Sequence, residues 1–167
     1  MSLVNIFTNI FYLLLTATKV KGENVSTRTN CDNANGWLNA GHGVGCLWFP
    51  ESRLEKYSYA NAQEFCASKD GYLIELHSKE QMDLIRATLN NKQFWGYTWG
   101  GATNVDKEGC WMWGKSNTKV ESFVWFNQTE PENSVWKNYF CFNSNGNKYY
   151  GDACAGDVLG MPVCQKM

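Results

Sequence analysis

The chain has 167 residues, including seven Cys, eight Trp, eight Tyr, nine Phe and only three Pro; 44% of residues are hydrophobic, 19% are charged, and the net charge is −1. Without an excess of Lys and Arg to release counterions, it is not a binder of nucleic acid through its phosphates. The apolar and aromatic content is too high for a disordered chain, the prolines are too few for a collagen-like one, and the length suits one domain.

Leu3 to Thr18 form a mostly apolar stretch interrupted by Asn5 and Asn9, shorter than the roughly 20 residues a membrane-spanning helix needs. Val20 and Gly22 stand at −3 and −1 of a cut before Glu23. Residues 1–22 are therefore expected to be a cleaved secretory signal, although no Lys or Arg precedes the apolar run; a retained N-terminal anchor is the other reading. Cleavage would remove Lys19 and Lys21 and no acid, taking the net charge to −3. Asn24-Val25-Ser26 and Asn127-Gln128-Thr129 are sequons compatible with export, and in an oxidising compartment disulfides are the default fate of the cysteines.

Residues 23–30 read as a polar lead-in, and residues 31–167 as one domain bracketed by Cys31 and Cys164, without internal repeats. Ala62, Phe65 and Cys66 recur at helical spacing within Tyr59 to Ser68, and Gly71 follows as a stop signal. Tyr72 to Leu76 is a short strand candidate. Ser78 with Gln81 forms a capping box, and Met82, Ile85 and Leu89 share one face of a second helix that Asn90-Asn91 should end. Beyond residue 92 the helical signal vanishes into short runs of Trp, Tyr, Gly and Asn, which suit strands and long loops. Helices first and irregular β structure after predicts an α+β fold, two helices packed on antiparallel sheets.

The order of these segments resembles a known family. Tyr59-Ala60-Asn61-Ala62-Gln63-Glu64-Phe65-Cys66, Gly71-Tyr72-Leu73 and Leu76-His77-Ser78-Lys79-Glu80-Gln81 are similar to the first half of a C-type lectin-like domain. Trp99-Gly100-Gly101-Ala102 stands at that family's Trp-Ile-Gly-Leu motif, Trp111-Met112-Trp113 at its Trp-x-Trp, and Glu130-Pro131-Glu132-Asn133 at its Glu-Pro-Asn loop. Cys141, Cys154 and Pro162-Val163-Cys164-Gln165-Lys166 complete a resemblance over roughly residues 31–166. It implies the C-type lectin-like fold, with a long disulfide-pinned loop region.

Six cysteines allow 15 connectivities, and spacing alone does not choose among them. The resemblance implies Cys31–Cys46, Cys66–Cys164 and Cys141–Cys154, leaving Cys110 unpaired. Three readings of Cys110 stand: a buried free thiol, an interchain disulfide linking a homodimer, or a nucleophile, which would need a base where the chain offers only His42 and His77.

The resemblance also implies a calcium site of side-chain oxygens in which two sugar hydroxyls complete the shell, as suits a hard cation that takes six to eight oxygens. Glu130 and Pro131 are kept, but Glu132 replaces the Asn, Tyr139 stands where a Glu is usual, and Tyr150-Gly151-Asp152 replaces Trp-Asn-Asp. The expected metal set is thus Glu130, Glu132, Asp152 and the amide oxygen of Asn138. An ionised Glu132 only accepts hydrogen bonds where an Asn would also donate, so the pattern that sorts one sugar from another is altered. Three acids on a solvated loop with no metal are the alternative. Rings stack on the apolar faces of sugars and also anchor protein interfaces. Among Trp125, Phe126, Trp136, Tyr139, Phe140 and Phe142, strand alternation turns Trp125 and Phe140 inward, and Trp136 and Tyr139 are the expected exposed rings. The expected carbohydrate-binding set is Glu130, Glu132, Asn133, Trp136, Tyr139 and Asp152.

Two functions follow. One is a secreted carbohydrate- or glycoconjugate-binding protein, with calcium as its expected cofactor, acting in innate recognition of foreign surfaces. The other is a calcium-independent domain for a protein or other non-sugar ligand. An enzyme is not expected, because no Ser-His-Asp set, paired-His zinc spacing or Gly-rich phosphate loop stands out.

Overall fold

The computed structural model describes residues 31–94, 96–125, 131, 134–145 and 148–167. In chain order these form β1 (Leu38–Asn39), β2 (Cys46–Trp48), α1 (Tyr59–Ser68), β3 (Tyr72–Leu73), α2 (Lys79–Lys92), β4 (Tyr97–Thr103), β5 (Met112–Trp113), β6 (Tyr139–Asn145), β7 (Lys148–Cys154), β8 (Gly160–Pro162) and β9 (Cys164–Lys166). Short 3-10 turns cover Asn33–Asn35 and Ser122–Val124. This is the α+β architecture that the pattern of elements predicts.

The helices form where their caps and apolar spacing require. The Ser58 side chain accepts from Asn61 N at 3.4 Å and starts α1, which buries Tyr59, Ala62 and Cys66. The Ser78 side chain accepts from Gln81 N at 3.2 Å and starts α2. Gln81 then reaches outward, accepting from His77 N at 2.7 Å and donating to His42 O at 3.2 Å. The helix buries Met82, Ile85 and Leu89 as their spacing predicts, but it continues through Asn90-Asn91 to Lys92. Gln93, in the left-handed region at φ 53°, ends it by donating its N–H to Asn90 O and Leu89 O.

Among the described residues, one sheet has the order β1-β2-β9-β3, and the other runs β5-β4-β6-β7 with β8 pairing β4 in parallel. β3 is shorter than the expected Tyr72 to Leu76. Its ladder with β9 ends at the pair Leu73–Cys164, and Ile74 turns toward the second sheet, accepting from Gly101 N at 2.8 Å. Close approach there explains the paired glycines of Trp99-Gly100-Gly101-Ala102. A Cβ on Gly101 would lie 2.5 Å from Leu73 O, and one on Gly100 the same distance from the Phe140 ring. Trp113, Phe140 and Phe142 are wholly buried in one core cluster and Trp99 in a second beside Tyr59, and Trp125 is buried beside Trp111 and Phe140.

The sulfurs pair as Cys31–Cys46, Cys66–Cys164 and Cys141–Cys154, while Cys110 keeps a free, half-buried thiol. Among the described residues no helix is long and apolar enough to cross a membrane. Cys66–Cys164 joins α1 to β9 across 98 residues of sequence, the longest of the three loops. Replacing both cysteines by alanine should lower the unfolding free energy by about 4 kcal/mol, read as a fall in the urea midpoint under non-reducing conditions.

Candidate functional site

The sequence places its candidate ligands on the loop before β6, on β6 and on β7. Glu130, Glu132 and Asn133 lie outside the described residues; Trp136, Asn138, Tyr139 and Asp152 lie within them.

β6 and β7 pair along their whole length, with Tyr139 opposite Cys154 and Cys141 opposite Asp152. Asp152 is half-buried, and its two oxygens are engaged at home: Oδ1 accepts from Ala153 N at 2.8 Å and Oδ2 from Asn143 Nδ2 at 3.1 Å. Its carboxylate lies within 4.8 Å of the sulfurs of Cys141 and Cys154, but those are joined in a disulfide and offer no thiolate to a metal.

Asn138 directly precedes β6. Its Nδ2 donates to Val135 O at 2.8 Å, and its carbonyl accepts from Asn104 N at 3.2 Å. It stands three residues before Cys141, the residue opposite Asp152.

Trp136 is displayed by a tight turn. Lys137 N donates to Ser134 O at 2.9 Å, which together with the Asn138 bond leaves Val135 and Trp136 at the tip, 58% and 79% exposed. The neighbouring loop, tied in through Asn104 N, adds Val105 at 56% exposure. Tyr139 departs from the exposure expected of it. Strand alternation sets it on the same face as Cys141, where its ring packs 4.3 Å from that of Tyr59 and fills the space over Gly156.

Two further residues shape this region. Asn104 is 3% exposed, and neither atom of its amide has a partner. Its place just after a buried strand motif was the only hint in sequence. Glu75, expected inside a strand, is a buried carboxylate that accepts from Lys115 N and, at 3.1 Å, from Ser116 N, with His77 Nε2 3.4 Å away. Glu75 thereby ties the turn after Trp111-Met112-Trp113 to the first sheet, whose Gln165 Oε1 accepts from Glu75 N at 2.8 Å. Burial, reinforced by the charges of Tyr139 and Glu75, pushes the Tyr59 hydroxyl well above its ordinary value.

The lectin C-type domain family matches residues 55–166, and the chain belongs to that family. Human C-type lectin domain family 10 member A is 28% identical over 110 residues, 66% of this chain and 31% of that protein. This chain thus spans about a third of the length of the curated relatives it matches first. Among solved structures, the SPL-1–GlcNAc complex superposes with a TM-score of 0.67 at 17% identity, covering 83% of this chain and 96% of that one. A calcium-independent type II antifreeze protein superposes at 0.62 with 22% identity, covering 78% and 91%. These likenesses show the fold. The family and fold are those of recognition domains.

Two substitutions test the roles assigned to Glu75 and Asp152. Glu75→Ala should lower stability by about 2–3 kcal/mol, since it strands two buried backbone N–H groups, measured by denaturant unfolding. Asp152→Ala should lower it by about 1 kcal/mol and leave the response of the melting midpoint to added calcium unchanged.

Proposed function

We propose that the chain is a secreted, non-enzymatic recognition protein that binds a carbohydrate or glycoconjugate by stacking a sugar ring on Trp136, without a requirement for calcium. The observation that carries this reading is the display of Trp136 at a hydrogen-bonded turn, 79% exposed and apolar on its broad face. A large ring held in water by a short turn loses little freedom when a ligand covers it. The Asn138 amide nitrogen and both Asp152 carboxylate oxygens are engaged within the protein. The fold is shared both with a complex of GlcNAc and with a calcium-independent antifreeze protein, so it accommodates either mode. Secretion is supported by the apolar leader and by three disulfides, and recognition of foreign surfaces is the biological extension.

A second reading rests on Val105, Val135 and Trp136 together. Three exposed apolar side chains on two loops tied by one hydrogen bond also suit a protein partner.

A glycan array probed in calcium and again in EDTA tests the proposal. Retained glycans should be the same in both, and Trp136→Ala should weaken retention several-fold at an unchanged melting midpoint. No retained glycan in either buffer would defeat the carbohydrate reading and leave the protein-partner one; loss in EDTA alone would defeat the calcium-free part.

A further inference from the structure

A pocket of about 340 Å³ opens between α2 and the start of β7, lined by Arg86, Asn90, Lys148, Tyr149 and Tyr150. Arg86 and Asn90 are four residues apart and so share one face of α2. Tyr149 pairs with Ser144 on β6, five residues from Tyr139. The pocket therefore lies about 17 Å along the ladder from the strand end that carries Trp136.

Its charge is one-sided. Among the described residues, two cations line it and no Asp or Glu does. Among the described residues Asp83 is the carboxylate paired with Arg86, with Oδ1 3.8 Å from Nη1, beyond hydrogen-bond length; its other oxygen is held closely by Lys79. The Arg86 guanidinium is half-buried, and its Nε has no partner. Lys148 is exposed and pairs with no carboxylate among the described residues. Tyr149 is 6% exposed and its hydroxyl has no partner. Burial pushes that hydroxyl up to about 12, with Arg53 acting against the rise, so at neutral pH it keeps its proton and remains a donor. A partly desolvated guanidinium whose Nε has no acceptor, an exposed ammonium and a protonated phenol give this lining more donors than acceptors, its acceptors being the Asn90 amide oxygen and the tyrosine hydroxyl oxygens. A planar fork suits the paired oxygens of an oxyanion.

We propose that this pocket is a second binding site, which takes an oxyanion (sulfate, phosphate or carboxylate) between Arg86 and Lys148. Tyr149 and Tyr150 wall the rest of the space, which has room for the group that carries the anion. The site is independent of ligand binding at Trp136, so either can fail without the other.

The test is calorimetric titration of the full folded protein with sodium sulfate, with sodium phosphate, and with a sulfated hexasaccharide beside its desulfated counterpart, at matched low ionic strength. Saturable binding of at least one anionic probe is expected, with none of the desulfated sugar. Arg86→Gln and Lys148→Gln should each weaken it about 10-fold, Arg86→Lys less than Arg86→Gln, and Trp136→Ala not at all. Binding of the inorganic anions as well as the sulfated sugar would identify the free oxyanion as sufficient; binding of the sulfated sugar alone would identify a glycan-borne group. The ligand-free melting midpoint of each variant controls for folding. Absence of binding by every anionic probe, or binding that survives both glutamine substitutions, overturns the proposal.

Discussion

The architecture depends on β9. That strand lies in the middle of the first sheet, paired with β2 on one side and β3 on the other. Cys164 on that strand is bonded to Cys66 of α1. The next residue, Gln165, sends its side chain both to Glu75 N and to Val44 O, the latter at 2.6 Å. A central strand supplied by the last residues cannot be added piecemeal: β1, β2, α1 and β3 have no shared layer until β9 arrives. Their placement relative to one another is therefore a long-range property, reinforced by a disulfide that closes almost the whole domain.

With the two ends of the domain tied in this way, the residues between β3 and β8 form an excursion held at both ends. Within it, β4 is the spine, paired with β5, β6 and β8. Glycines 100 and 101 let that spine press against Leu73 and Phe140, and Glu75 pins the turn beyond Trp113. The rigid layer so formed presents two unlike surfaces at opposite ends of the β6–β7 ladder. One is apolar and ring-bearing, at the turn of Trp136. The other is cationic, beside α2.

Much of the frame was legible from local pattern. α1 and its bounds followed from the spacing of Ala62, Phe65 and Cys66 and from Gly71 beyond them, and α2 began where its capping box lay. Its end did not follow, because Asn90-Asn91 tolerates helix and Gln93 took the left-handed position instead. The strand read through Leu76 stopped at Leu73, the last residue laddered with β9; Ile74 N–H still donates to Val163 O, but its carbonyl serves Gly101 N of the second sheet. The pairing of β7 with β6 rather than with any other strand was not readable, nor was the role of Glu75, whose partners lie 40 residues away.

For the ligand region, the sequence by itself determined which residue types were on offer: an acidic loop at Glu130 and Glu132, a late Asp152, an excess of rings near residues 125–142, and seven sulfurs of which one is odd. The spacing of apolar residues and caps also determined the helices, because helical periodicity and capping are local. Only the tertiary structure decided that Tyr139 spends its ring on Tyr59 while Trp136 stands in water, since strand alternation and a four-residue turn set their directions. Asp152 faces Asn143 and the Cys141–Cys154 disulfide, because cross-strand register assigns each side chain to one face of the sheet. Arg86, Lys148 and Tyr149 are far apart in sequence and share no motif; the packing of α2 on β7 made them neighbours.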